Sequence, residues 1–163
     1  MSDITIQRVK DANGLQAAFL VRKQVFVLEQ NVPEHLELDD LDQDPHTVHV
    51  LARDRRGQAL GTARMRSYTP DGTAKIERVA VLASHRRSGL GRALMKFLEQ
   101  DARAAGFREI VLHAQIRATA FYERMGYTAF GERFMDAAIE HIAMRKTVGR
   151  AGDDIAGILR QKP

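Results

Sequence analysis

A chain of 163 residues, 44% of them hydrophobic, supports one domain around one core, and its formal charge of +4 comes from acidic and basic residues mixed along its length. The absence of cysteine excludes disulfides, thiolate metal sites and a cysteine nucleophile, while few aromatics and no long basic block argue against a nucleic-acid surface. No apolar run is long enough to span a membrane and residues 1–10 lack signal-peptide character, so a cytoplasmic protein without membrane association is expected.

Residues 4–9 alternate apolar and polar and predict an opening strand. Residues 15–30 carry helical periodicity, with Leu15, Phe19, Val25, Phe26 and Leu28 available to a buried face. Pro33 ends that helix and begins a carboxylate-rich loop, PEHLELDDLDQDPH. Residues 48–53 and 59–67 predict a hairpin whose turn, DRRGQ, leaves Gly57 free to take positive φ. The turn TPDGT leads into a third β-branched stretch, 74–82. Then SHRRSGLGRAL opens a helix predicted over 90–105, closed by Gly106. A strand over 109–114, a short helix over 118–125 and a final pair of strands over 127–130 and 139–147 complete the domain, expected to span 1–148 with 149–163 as a tail. Hairpins and βα units alternate, so the expected class is α/β with a mixed sheet.

The junction 84–94 carries the chemistry. Free N–H groups at a helix start, with the helix dipole, form an anion site. Gly89 and Gly91 let consecutive N–H groups converge and keep side chains out of a phosphate's path, while Arg86, Arg87 and Arg92 add charge. The same glycines also suit an ordinary solvated helix start. A P-loop would need Lys-Ser or Lys-Thr after the glycines, and a dinucleotide fingerprint would need a small residue where Leu94 stands; neither pattern fits.

Arg86-x-x-Gly89-x-Gly91 resembles the Gln/Arg-x-x-Gly-x-Gly/Ala acyl-CoA loop of the GCN5-related N-acetyltransferases. The preceding RVAVL and the following amphipathic helix stand where that family has them, and LHAQIRATAFYERMGY resembles its second signature. RKQVFVLEQNVPEHLELDDLD and GERFMDAAIEHIAMRK are similar to the ElaA/YjcF-type branch, so the resemblance reaches about Lys146. It implies the acyl-CoA N-acyltransferase fold, a mostly antiparallel twisted sheet of about six to seven strands flanked by helices. It also implies an acetyl-CoA-dependent N-acetyltransferase acting on a primary amine of a small molecule or peptide. A module that keeps the fold as an acyl-CoA sensor or interaction platform without turnover is the alternative.

The resemblance implies that main-chain groups from Arg87, Ser88, Gly89, Leu90, Gly91 and Arg92 hold the pyrophosphate of acetyl-CoA, with Arg86 opening the loop. The pantetheine arm is expected along Val79, Ala80 and Val81, and Gln115 takes the place of an asparagine that often contacts the cofactor. Tyr122 matches the tyrosine that protonates the departing thiolate. For the base, Glu77 lies on the cofactor strand, where alternation puts it on the face of Val79 and Val81; an ion pair with Arg64 or Arg66 is its ordinary role. His113 and a water relay remain alternatives. Without cysteine, a ping-pong route through an acyl-cysteine is excluded and direct attack in a ternary complex is expected.

Glu37, Asp39 and Asp42 match the Glu-x-Asp-x-x-Asp pattern of the branch, as do Arg22, Glu29 and Gln30. The carboxylates can serve as an acceptor-side lip for a cationic amine or pair with surface arginines; Glu29 and His113 are also placed on the acceptor side. No metal is expected, because His46 and His49, three apart on a strand, point to opposite faces. His141 is either structural or acceptor-facing, and a homodimer through the last strands or tail is compatible with the sequence.

Overall fold

The computed structural model describes residues 3–149, and the tail from residue 150 lies outside them. The strands are β1 (Thr5–Arg8), β2 (Val48–Arg53), β3 (Ala59–Thr69), β4 (Thr73–Val81), β5 (Glu109–Gln115), β6 (Thr128–Asp136) and β7 (Ile139–Thr147). They form one seven-stranded sheet in the order β1-β2-β3-β4-β5-β7-β6. Every neighbouring pair is antiparallel except β4 and β5, so the sheet is mixed and mostly antiparallel, as expected. A parallel pair needs a crossover, and α3 (Leu90–Ala104) supplies it.

One face of the sheet closes on α3. Its Leu90, Leu94, Met95, Leu98 and Ala102, at helical spacing, pack against Val50, Leu60, Met65, Ile76, Ile110 and Met144. Each fully buried side chain of leucine size contributes about 1.5–3 kcal/mol, so this stripe anchors the helix whose first turn matters below. On the opposite face, α1 (Ala12–Arg22) and a π-helix (Lys23–Glu29) lie over β2, β3 and β4, with Val21 and Val25 packed on Ala80. The helix expected over 15–30 is thus two segments. Asp11 starts the first one early by accepting the Gly14 N–H at 2.7 Å, and the second widens to the π form.

A larger departure is β6, which runs to Asp136 rather than ending at 130. Gly131 and two charged residues interrupt the alternation there, and the strand accommodates them as a bulge between Phe130 and Phe134. The two-residue turn that follows places both Ala137 (φ 47°) and Ala138 (φ 60°) in the left-handed region, where alanine carries a steric cost. Ala138→Gly is therefore expected to stabilise the fold by about 0.5–1 kcal/mol, read as a higher melting temperature; an unchanged or lower value contradicts it.

The feature that makes the site is a second bulge, on β4. Its register with β3 passes from Arg64↔Glu77 to Thr62↔Ala80, so β4 spends one residue more than β3 across that step. Arg78 absorbs the extra residue at φ 57°. The bulge reverses the facing of every residue beyond it. Before it, Ala74 and Ile76 face the α3 core; after it, Val79 and Val81 do. The alternation that put Glu77 on the face of Val79 and Val81 is therefore overturned, and Glu77 faces the α1 side with Ala80. Pairing of β4 with β5 also stops early, after Thr73↔Glu109, Ala74↔Ile110 and Lys75↔Val111. Beyond Lys75 the two strands diverge into a wedge.

Candidate active site

A cavity of about 750 Å³ fills that wedge. Val79, Ala80 and Val81 form one wall and Leu112, His113 and Gln115 the other. The π-helix contributes Val25, Phe26 and Glu29, α4 (Thr119–Arg124) contributes Phe121 and Tyr122, and the β6–β7 turn contributes Asp136, Ala137 and Ile139. A gap between two strands leaves main-chain groups on their facing edges without sheet partners, which suits an extended ligand carrying amides.

At one end stands the glycine loop. Arg87 (φ 61°) and Gly89 (φ 85°) turn the chain sharply, and α3 begins at Leu90 without a side-chain cap. The first N–H groups of a 15-residue helix thus stay free for an anion. Leu90 gives only its main chain to this turn, since its side chain is in the core. Arg87 lines the cavity; Ser88, whose hydroxyl donates to the His85 carbonyl, Gly89, Gly91 and Arg92 continue from it into the helix. Arg86 acts as a clasp: its Nε donates to the Val81 carbonyl at 2.9 Å and its Nη2 meets Glu29 at 2.7 Å. Glu29, expected on the acceptor side, lines the cavity and is tied to the glycine loop. Gln115 is also engaged, donating to Gln30 at 2.8 Å and accepting from Arg117 at 2.9 Å.

Tyr122 is half-buried on the cavity wall, packed edge-on to Phe121 and Tyr127 at 5.0 and 5.9 Å. Among the described residues its hydroxyl makes no hydrogen bond. Burial pushes the phenol up to about 12, so it keeps its proton throughout the neutral range.

Glu77, expected as a base, is occupied. Arg64 reaches it at 2.6 Å, Arg66 at 3.1 Å and Lys75 at 3.1 Å. Burial alone would raise its carboxyl, but the Arg66 hydrogen bonds and the Arg64 charge outweigh it and bring the group down to about 2. A carboxylate so held has almost no tendency to take a proton at neutral pH, which suits the ordinary ion-pair role and not that of a base.

The acidic loop turns inward as well. It forms a short α2 (Glu34–Glu37) and a 3₁₀ turn (Asp40–Gln43) boxed by Asp39 and Asp42. Arg22 of α1 meets Glu37 at 2.6 Å and Asp42 at 2.7 Å, and Arg64 meets Asp39 at 2.7 Å and Asp42 at 2.8 Å. Glu37 and Asp42 are only 5% and 4% exposed, so of the two roles open to these carboxylates the pairing with arginines is the one that forms, as a buried network with Asp39 at its exposed edge. Its output is structural: Arg78 at the bulge donates to the Glu37 carbonyl at 3.1 Å and pairs with the Glu37 carboxylate at 3.4 Å. The loop braces the residue at the bulge. His49 belongs to the same layer, its Nε2 at 3.3 Å from the Asp42 carbonyl.

This network sets an acid limit. Glu77 and Asp42 sit near 2 in the fold against ordinary values of 4.5 and 3.8, so they stabilise it above those values and lose that contribution as pH falls toward 2. Glu37, which burial raises, offsets part of this. Melting temperature is expected to fall steeply between about pH 4.5 and 2. Glu77→Gln is expected to cost about 3 kcal/mol at pH 7 and to flatten that fall; a variant matching wild type in both would contradict the network's role.

The profile described as Acetyltransferase (GNAT) domain matches residues 8–148. The chain belongs to the GNAT acetyltransferase family. Within it, this acetyltransferase is similar to the uncharacterized N-acetyltransferase YjcF of Bacillus subtilis, with 41% identity over 84% of this chain and 95% of that one. Among solved structures it is similar to an acyl-CoA N-acyltransferase from Pseudomonas aeruginosa, at 33% identity and TM-score 0.77 over 91% of this chain and 99% of that one. It also matches Escherichia coli ElaA, at 25% identity and TM-score 0.78 over 88% and 99%. These likenesses place the acetyltransferase in the ElaA/YjcF branch. Among its described residues no helix is long and apolar enough to cross a membrane.

Two groups of wall residues were not evident in the sequence. Arg78 enters through the bulge, which no alternation pattern reveals, and Asp136, Ala137 and Ile139 enter through the unforeseen length of β6. His141, undecided in the sequence, lines the cavity.

Proposed function

We propose that this acetyltransferase takes its acetyl group from acetyl-CoA and passes it to a primary amine of a small molecule or peptide by direct attack in a ternary complex. One observation carries this: a single wedge joins an uncapped helix N-terminus, a strand edge without a sheet neighbour and a tyrosine hydroxyl with no hydrogen bond among the described residues. Amides at 87–92 would receive the pyrophosphate, and the edge of Val79, Ala80 and Val81 would pair with the pantetheine arm. A main-chain N–H on that edge would stabilise the negative charge that develops on the thioester oxygen.

Direct attack requires a neutral amine. The acceptor ammonium gives up one proton, its nitrogen bonds to the acyl carbon, and the C–S bond breaks. Tyr122 then supplies a proton to the departing thiolate. The P. aeruginosa relative, called an acyl-CoA N-acyltransferase, supports the CoA thioester as donor.

Because the chain has no thiol, a thiol-reactive dye reports only CoA released from acetyl-CoA. Testing a panel of amines, amino acid derivatives and short peptides should find amine-dependent release together with acetylated product. A panel showing binding of acetyl-CoA but no release with any amine would favour the sensor alternative for this chain.

A further inference from the structure

With Glu77 locked among three cations, the proton of the attacking amine needs another destination, and the opposite wall holds one. His113 of β5 and His141 of β7 stand on the same face of the sheet and both line the wedge. The Phe134 ring lies between them, edge-on to His113 at 4.9 Å and stacked on His141 at 5.8 Å. The two rings differ in how they are held. His141 Nδ1 lies 2.7 Å from the carbonyl oxygen of Ile139 on its own strand. A carbonyl can only accept, so in the neutral ring Nδ1 carries the proton and Nε2 keeps its lone pair. His141 is also opposite Gln115, the last residue of β5, at the wide end of the wedge just before α4 brings in Tyr122. His113 lies two residues deeper, toward the narrow end.

Resting on the transfer reaction proposed above, we infer that His141 Nε2 is the group that takes the proton from the acceptor ammonium. The step balances within the reaction already described. The first ammonium proton passes to Nε2, the freed lone pair forms the N–C bond, and the C–S bond breaks as Tyr122 protonates the sulfur. The second nitrogen proton restores Tyr122, and the His141 imidazolium releases its proton to solvent. The charged groups that act on His113 are Lys75 and Glu77 of β4, Asp136 of β6 and His141 itself. Burial and the Lys75 charge lower His113, which makes it a poor proton holder at neutral pH. The ring clamp on Ile139 fixes the direction of Nε2, which is what a positioned base requires.

The test compares wild type with His141→Asn and His141→Ala on one amine that wild type acetylates, from pH 6 to 10. His141→Asn is expected to lose about 10²–10³-fold in kcat near pH 7, with acetyl-CoA affinity within about twofold of wild type. Its deficit should shrink as pH rises and solvent deprotonates the amine, and added imidazole should partly restore His141→Ala. If either variant fails to fold, the wild-type kcat/KM profile decides: an inflection in the imidazole range supports the base, and a featureless rise with pH overturns it. Equal turnover by variant and wild type overturns the inference alone, as does a loss that is constant with pH and not rescued by imidazole. A wild type that acetylates no amine removes the proposed reaction and this step with it.

Discussion

Tyr122→Phe is expected to lower kcat by about 10²–10³-fold while leaving the dissociation constant for acetyl-CoA within about twofold. The argument rests on what the substitution leaves intact. Phenylalanine keeps the ring that packs on Phe121 and Tyr127, and the lost hydroxyl has no hydrogen-bond partner among the described residues. Stability should therefore hold or rise slightly, because no bond is broken and no buried group is orphaned. What disappears is a donor that stays protonated at every working pH, since burial holds the phenol near 12. A loss confined to kcat identifies a role in the chemical step. Steady-state kinetics with calorimetric binding checks this, and turnover equal to wild type would remove Tyr122 as the acid.

Gly91→Asp is expected to weaken acetyl-CoA binding by at least about 100-fold without destabilising the fold. A Cβ at position 91 meets Phe121 at 3.5 Å and the Val81 side chain at 3.9 Å, ordinary contacts that need no rearrangement. A carboxylate in the first turn of α3 interacts favourably with the helix dipole, so melting temperature should hold or rise. The same charge occupies the seat assigned to a diphosphate and repels it. Gly91→Ala is the control: it adds the Cβ without charge and should bind within a few-fold of wild type. Binding by the Asp variant equal to wild type would mean that the helix start does not hold the phosphates. Gly89 is unsuited to this purpose, because at φ 85° any side chain strains the turn itself.

The half proposed to hold the cofactor was legible because its elements follow from local chemistry. The β-branched run before the loop, the two glycines and the amphipathic stripe of α3 are each read from a few adjacent residues, and all three form where they were expected. The acceptor half was not, because it depends on events that break local pattern. One extra residue at Arg78 reverses the facing of β4, so alternation, sound up to Glu77, fails two residues later. The acidic run leaves a lip and arginine pairing equally open in the sequence because its partners, Arg22 and Arg64, come from elements distant in sequence. Strand pairing points Arg64 to Glu77 across the hairpin, whereas no local pattern points it to Asp39 or Asp42. The β6–β7 turn escaped notice because it uses two alanines where glycine or asparagine would announce left-handed backbone. Asp136, Ala137 and Ile139 consequently reached the cavity wall unseen.

These departures share one consequence. The ion-pair layer under α1 holds Arg78 at the bulge, and the pairing of β4 with β5 ends just before it, at Lys75. The wedge thus lies against a layer of buried charge pairs, and the same layer holds Glu77 as an ion-paired carboxylate.

The most direct measurement is an amide chemical-shift titration of the wild-type protein with acetyl-CoA. Perturbations should concentrate at 79–81 and 87–92, with smaller changes at Gln115 and Tyr122. No perturbation at millimolar acetyl-CoA, or one confined to the groove at Thr5, Arg8 and Phe97 on the far edge of the sheet, would contradict the wedge as the acyl-CoA site.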